Sequence, residues 1–237
     1  LNRAVFIKGF VGGTEQAGRV SQERELPLLH ISSYTVCMAG DRTDPQVLRG
    51  EECFEPERLI GAYAQSKRRA ELVLEAIRPQ AIIIRPTAPI GPGDFRLTPP
   101  MRLVRDLAEG KLPGVMQGQI NIVDVRDVAD AVIAAFKLAD SDGPSAAPRG
   151  RRYVVSGHDM SLKAFAGDVA RVAGVRPPAL EVPVPVAALA ARVETWLSAR
   201  AGRSPNAPID GVRLAALPVR FDAARAKREL GFKARPL

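Results

Sequence analysis

A chain of 237 residues, 46% hydrophobic and 25% charged, can bury a substantial core in one large domain or two small ones. Its formal charge of +8, from 34 Lys and Arg against 26 acids, is spread along the chain, and 5% aromatics are too few for base-stacking platforms, so no specific nucleic-acid partner is expected. No run approaches about 18 uncharged apolar residues, which excludes a transmembrane helix. The two cysteines, Cys37 and Cys53, have neither metal-ligand spacing nor the number for a disulfide framework, so no metal and a reduced, cytoplasmic setting are expected.

In chain order, Ala4 to Thr14 joins an apolar run to Gly9, Gly12 and Gly13. One reading makes it the helix and turn ahead of the next strand, in a chain whose N-terminal half is absent. The other makes it a remnant of a glycine-rich phosphate loop. The first is preferred: the first glycine of such a loop is lacking, and a full βαβ unit needs about 30 residues with a ribose-binding acid roughly 20 past the glycines. Leu1 is neither an initiator Met nor the start of a signal peptide, so the chain is expected to begin partway through a longer protein.

Leu28 to Ser33 reads as a short apolar strand ending in two hydroxyls. Residues 57 to 77 read as a helix closed by Arg78 and Pro79, and Ala81 to Thr87 as a buried strand followed by a turn. Continuous apolar runs mark buried parallel strands, and α/β sheets carry their chemistry at the C-terminal ends of such strands. Further helices are predicted from Pro99 to Gly110 and from Asp127 to Leu138, the second with Asp127 as N-cap, and Asn121 to Val125 as a strand between them. A polar loop covers 140 to 150, Arg152 to Ser156 is a strand, and Ser161 caps a helix to Ala173. Four prolines between 177 and 185 lead into an amphipathic helix, Val186 to Ala201, whose apolar face of Val186, Leu189, Val193 and Trp196 is expected in the core. Asp222 caps a last helix ending at Gly231. The alternation predicts a parallel α/β domain over 1–157 and a smaller C-terminal lobe over 158–237, to which elements from 90–125 could contribute.

Tyr63 and Lys67 stand four residues apart on the 57 to 77 helix, and with about 3.6 residues per turn they share one face. A phenol titrates near pH ~10, and a neighbouring ammonium lowers that value, so Tyr63 could exchange a proton with a carbonyl or alcohol. The bland alternative is an amphipathic surface pair. The other candidates favour structural readings. His30 reads as a core histidine satisfied by a hydrogen bond, and His158 as solvent-facing. Asp94 and Arg96 are as well explained by loop polarity as by substrate contact, and nothing near Cys53 activates a thiolate.

Ser33, the Tyr63-x-x-x-Lys67 pair and the Arg85-Pro86-Thr87 turn together resemble the extended short-chain dehydrogenase/reductase superfamily (NAD-dependent epimerase/dehydratase). The closer match is its dihydroflavonol reductase-like and hopanoid-associated sugar epimerase branch. Pro86 to Asp94, Asn121 to Ala129, Tyr153 to Ser161 and Phe221 to Gly231 carry the same likeness, from about residue 28 onward. The resemblance implies a Rossmann-like doubly wound parallel sheet, with its N-terminal strands missing, and a small C-terminal substrate lobe. It implies NAD or NADP as cofactor and an oxidoreductase or sugar epimerase acting on a ketone or nucleotide sugar. Tyr63 would be the acid and base. Lys67 would hold the nicotinamide ribose and depress the Tyr63 pKa, and Ser33 would orient the substrate oxygen. Pro86, Thr87, Ala88 and Pro89 would line the nicotinamide. Ser32 is not chosen, since neighbouring strand residues face opposite ways. A homodimer stays open. The competing class is a non-catalytic dinucleotide-sensing or scaffold protein on the same fold; a third is a basic surface for nucleic acid or anionic lipid.

Overall fold

The computed structural model describes residues 3–41, 44–141, 150–200 and 208–236; most of the loop expected over 140 to 150, the expected chain start at Leu1 and the last residue of the predicted 186 to 201 helix lie outside them. The described residues begin in a helical rod. α1 (Arg3–Phe6) passes through a π-helical stretch, Ile7–Gly12, into α2 (Gly13–Glu23). Gly12 (φ −63, ψ −41) and Gly13 (φ −64, ψ −41) have ordinary helical torsions. The preferred reading of this segment as helix therefore holds, and the glycine-loop alternative does not. Gly18 lets α2 press close to α3 (Gly61–Ile77), where an added Cβ would lie 3.4 Å from Leu74 Cδ1.

β1 (Leu29–Ile31), β3 (Ile82–Pro86) and β7 (Arg152–Val155) form a parallel sheet in the order β1-β3-β7, with Ile31 level with Ile84 and Ile84 level with Tyr153. β3 is buried along its whole length, as a central strand with helices on both faces requires. Alternate residues serve the two faces. Ile82, Ile84, Tyr153 and Val155 pack against α5 (Val125–Ser141) and α9 (Ala224–Leu230). On the other face the fully buried Arg85 meets the equally buried Glu71 of α3 at 2.7 Å. Arg85 Nη1 also donates to the carbonyls of Gly50 and Glu52, at 2.9 Å each, and so fastens that loop to the sheet. Removing one partner of such a pair leaves a buried charge uncompensated, at a cost of roughly 3–5 kcal/mol.

Three smaller sheets surround this centre. β2 (Gln46–Leu48) pairs with β10 (Val219–Phe221), and β5 (Gly114–Met116) with β9 (Leu180–Val182), both in parallel. β6 (Gln119–Asp124) runs parallel to β4 (Ala88–Ile90) and antiparallel to β8 (His158–Ser161). A separate core joins α4 (Pro99–Ala108) to α6 (Leu162–Ala173) through Leu107, Val115, Ile122, Leu162 and Phe165. It draws on both sides of position 157. α7 (Val184–Arg200) and α8 (Ile209–Ala215) complete that side. Among the described residues no helix is long and apolar enough to cross a membrane.

Ser161 caps α6 through Ala164 N at 3.1 Å, as expected. Asp222 does not cap α9: Ala223 holds that position, and Asp222 accepts from Ala224 N at 2.9 Å in the turn ahead of it. Three further expectations are corrected. α3 begins at Gly61 rather than 57, because Pro56–Arg58 form a separate 3₁₀ turn and Gly61, at φ 81, breaks the path. Asp127 does not cap α5. The helix starts at Val125, where Asp124 Oδ1 accepts from Arg126 N at 2.7 Å, and Asp127 instead receives Arg235 N at 2.7 Å and Arg235 Nε at 2.6 Å. Trp196 is not in the core: it is 53% exposed, with Val186, Leu189 and Val193 exposed beside it and Arg200 over its ring. α7 turns its small residues inward and leaves this stripe outside.

Candidate active site

The end of β1 is defined by Ser32, whose N–H donates to Ile84 O at 2.8 Å in the last rung of the ladder. Ser33 then leaves the sheet in extended conformation (φ −156, ψ 147) and caps the 3₁₀ turn Tyr34–Cys37. Its Oγ accepts from Thr35 N at 3.3 Å and from Thr35 Oγ1 at 3.0 Å, which fixes the rotamer. Tyr63, in the first turn of α3, stands close enough to Ser33 for the serine hydroxyl to lower the phenol pKa. Ser32 lies on the opposite side, toward the Glu71 carboxylate. Burial would raise that carboxyl, but the charge and hydrogen bonds of Arg85 hold it below the usual range.

Lys67, one turn after Tyr63, donates from Nζ to Ile31 O at 3.1 Å. Its ammonium lies 4.5 Å from the centroid of the Phe10 ring. Phe6 and Phe10 both present edge-to-face contacts to Tyr63, at centroid separations of 5.9 and 5.7 Å. Sequence reasoning passed over these two phenylalanines, although their i, i+4 spacing places them on one helical face. The electrostatic outcome differs from the expectation. Burial raises the Tyr63 phenol above its ordinary value, the Ser33 hydroxyl lowers it only in part, and the Lys67 ammonium is directed at a carbonyl and a ring. Burial likewise lowers Lys67, with Glu71 acting in the opposite direction.

Pro86 ends β3 and Ala88 opens β4, so Pro86, Thr87, Ala88 and Pro89 form the turn between two parallel pairings. Thr87, buried there, donates from N at 3.0 Å and from Oγ1 at 3.3 Å to Val155 O. The β1–β3 register puts Ser33 level with Pro86, at the C-terminal edge of the sheet. Beside this edge opens a cavity of about 640 Å³ whose lining includes Tyr34 and Ala88, the residues after Ser33 and Thr87.

The remaining candidates resolve individually. His30 is partly buried, but its Nε2 finds no hydrogen-bond partner, which corrects the expectation of a satisfied histidine. Burial first, and then the charge of Lys67, push its imidazole down to about 4. His158 does not face solvent: it is partly buried in β8, with Nε2 2.7 Å from Arg235 O. Asp94 accepts from Thr98 N and Oγ1 at 2.8 and 2.5 Å ahead of α4, and Arg96 is exposed. Cys53 is exposed, its Sγ 3.4 Å from Glu51 O.

Comparison with known proteins adds three findings. Residues 2–155 match the family described as NAD dependent epimerase/dehydratase. A provisionally named dihydroflavonol 4-reductase of Synechocystis sp. is 34% identical over 202 residues, covering 83% of this chain and 57% of the relative. Sterol demethylase protein B of Methylococcus capsulatus is 30% identical over 174 residues, covering 71% of this chain and 51% of the relative. The chain thus spans about half the length of the curated relatives it matches. The crystal structure of gox2253 superposes with a TM-score of 0.76 at 28% identity, over 99% of this chain and 70% of that one.

Proposed function

The chain belongs to the NAD dependent epimerase/dehydratase family, and from that premise we propose that it is a cytoplasmic NAD(P)-dependent oxidoreductase or epimerase with Tyr63 as its acid and base. The observation that carries this reading is the placing of Lys67, one turn after Tyr63, against the end of the strand that leads into Ser33, its Nζ 3.1 Å from Ile31 O. NAD or NADP, when bound, supplies or accepts the hydride at a carbon bearing oxygen. Tyr63 gives a proton to that oxygen on reduction and takes it back on oxidation. Ser33, held by Thr35, orients the oxygen. Reduction and epimerisation share this half-reaction.

The residues present fit the nicotinamide half of the cofactor. Lys67 would hold the ribose by exchanging the Ile31 carbonyl and the Phe10 ring for ribose hydroxyls, and the turn from Pro86 to Pro89 would flank the ring. Gly9, Gly12 and Gly13 do not form a phosphate cradle, since a diphosphate rests on a glycine turn at a helix N-terminus and these lie inside a helical rod. The raised phenol keeps Tyr63 protonated at neutral pH, which suits it to donate first.

Tyr63→Phe should lower the rate of NADH- or NADPH-dependent ketone reduction by about 10²- to 10⁴-fold while leaving the circular dichroism spectrum unchanged. Turnover at the parent rate would end the assignment.

A further inference from the structure

The cavity beside Ser33 and Thr87 is walled by carbon. Its lining includes Leu103, Val115, Met116, Leu162 and Val212, and Phe221 stands there in T-shaped contact with Tyr34. The space exists because α7 turns alanines toward it. Ala187, Ala190 and Ala191, at helical spacing, all lie on the lining. Its polar members are few. Asn121 is already engaged, donating to Asp159 Oδ1 at 2.7 Å and accepting from Gly157 N at 3.1 Å. Gln119, Glu194 and the Tyr34 hydroxyl are the others, and among the described lining residues there is no lysine, arginine or histidine.

That lining decides between two kinds of substrate. A nucleoside diphosphate group held in a protein needs cations or helix N-termini against its charge, because a buried anion without them is strongly disfavoured. Among the described lining residues no cation faces the space. An apolar ring system gains from the same walls by leaving water, and a volume of about 640 Å³ lies within the range of pockets that enclose a whole small molecule.

We infer that the substrate is an uncharged ketone or secondary alcohol on a largely hydrocarbon ring system, its body buried in this cavity and its oxygen reaching Tyr63 and Ser33 past Tyr34, and that it is not a nucleotide sugar. The position of the oxygen rests on the hydride-transfer reading; the apolar body rests on the cavity alone.

Calorimetric titration with androstenedione, a neutral tetracyclic ketone, and with UDP-glucose separates the two. Androstenedione should bind in roughly the micromolar range and UDP-glucose at least about 100-fold more weakly. Ala191→Trp should weaken androstenedione about tenfold or more by filling the space. Ala190→Phe, at an exposed position on the cavity rim that tolerates size, should do the same with an unchanged melting temperature. UDP-glucose binding as tightly as the ketone, or androstenedione affinity untouched in the folded Ala190→Phe protein, overturns the inference. Ketone binding without any hydride transfer at saturating NADH or NADPH would instead sink only the role of Tyr63, leaving the cavity assignment standing.

Discussion

At Tyr63 two effects oppose each other, and burial is the larger. Tyr63 keeps 39% of its surface exposed, yet its packing against Phe6 and Phe10 desolvates the phenol, the Ser33 hydroxyl partly compensates, and the net shift is upward. The spacing of Tyr63 and Lys67 was legible in sequence; the direction in which the lysine points was not. His30, on the neighbouring strand, makes the same physics measurable. Its folded-state value of about 4 lies below the ordinary 6.5, so the folded protein binds fewer protons than the unfolded chain between those values. The associated stability is complete above about pH 6.5 and is lost as pH falls toward 4, by roughly 1–3 kcal/mol. Urea unfolding of the parent and of His30→Gln at pH 7 and pH 4.5 tests this, with a smaller acid loss expected in the variant. Equal losses would show that His30 is not the group responsible.

Among the elements, the N-terminal helix bears most directly on function. An apolar run with three glycines can open a nucleotide-binding unit or extend a helix, and local sequence does not choose between them. Packing does: Gly18 admits the close approach to α3, and Phe6 and Phe10 find Tyr63. A Cβ added at Gly12 or Gly13 meets nothing within 4 Å, and both have helical torsions. Gly12→Ala and Gly13→Ala should therefore each stabilise the protein, by about 0.5–1 kcal/mol, as Gly→Ala does inside a helix. A fall in the thermal midpoint for both would contradict a helical segment.

For the whole molecule, Ser33, Lys67 and the Pro86 to Pro89 turn lie at the C-terminal edge of the sheet, while Gly9, Gly12 and Gly13 lie within a helical rod and form no phosphate cradle. The 237-residue chain alone should consequently bind NADH and NADPH weakly, well below the affinity of a relative with a complete phosphate site. Lys67→Met should weaken it further, because the ammonium is the cationic group placed beside Tyr63. Isothermal titration checks both; micromolar binding by the parent would mean that a diphosphate site exists outside the residues discussed.

Sequence alone determined the parallel α/β class, the strand leading into Ser33, the Tyr63–Lys67 face and the cap at Ser161, since each rests on local periodicity or on a side chain bonding within a few residues. Tertiary structure decided the rest. Asp127 looked like a cap until Arg235, 108 positions along the chain, reached it. Trp196 shared an apolar stripe with Val186 and Leu189, and periodicity shows that such a stripe exists without showing which way it faces; the alanine side of α7 turned inward. The cavity is assembled from α4, α6, α7, α8 and β10, so its apolar character belongs to no single segment. Long-range contacts set burial, burial sets the pKa of Tyr63 and His30, and no local pattern encodes a contact between distant residues.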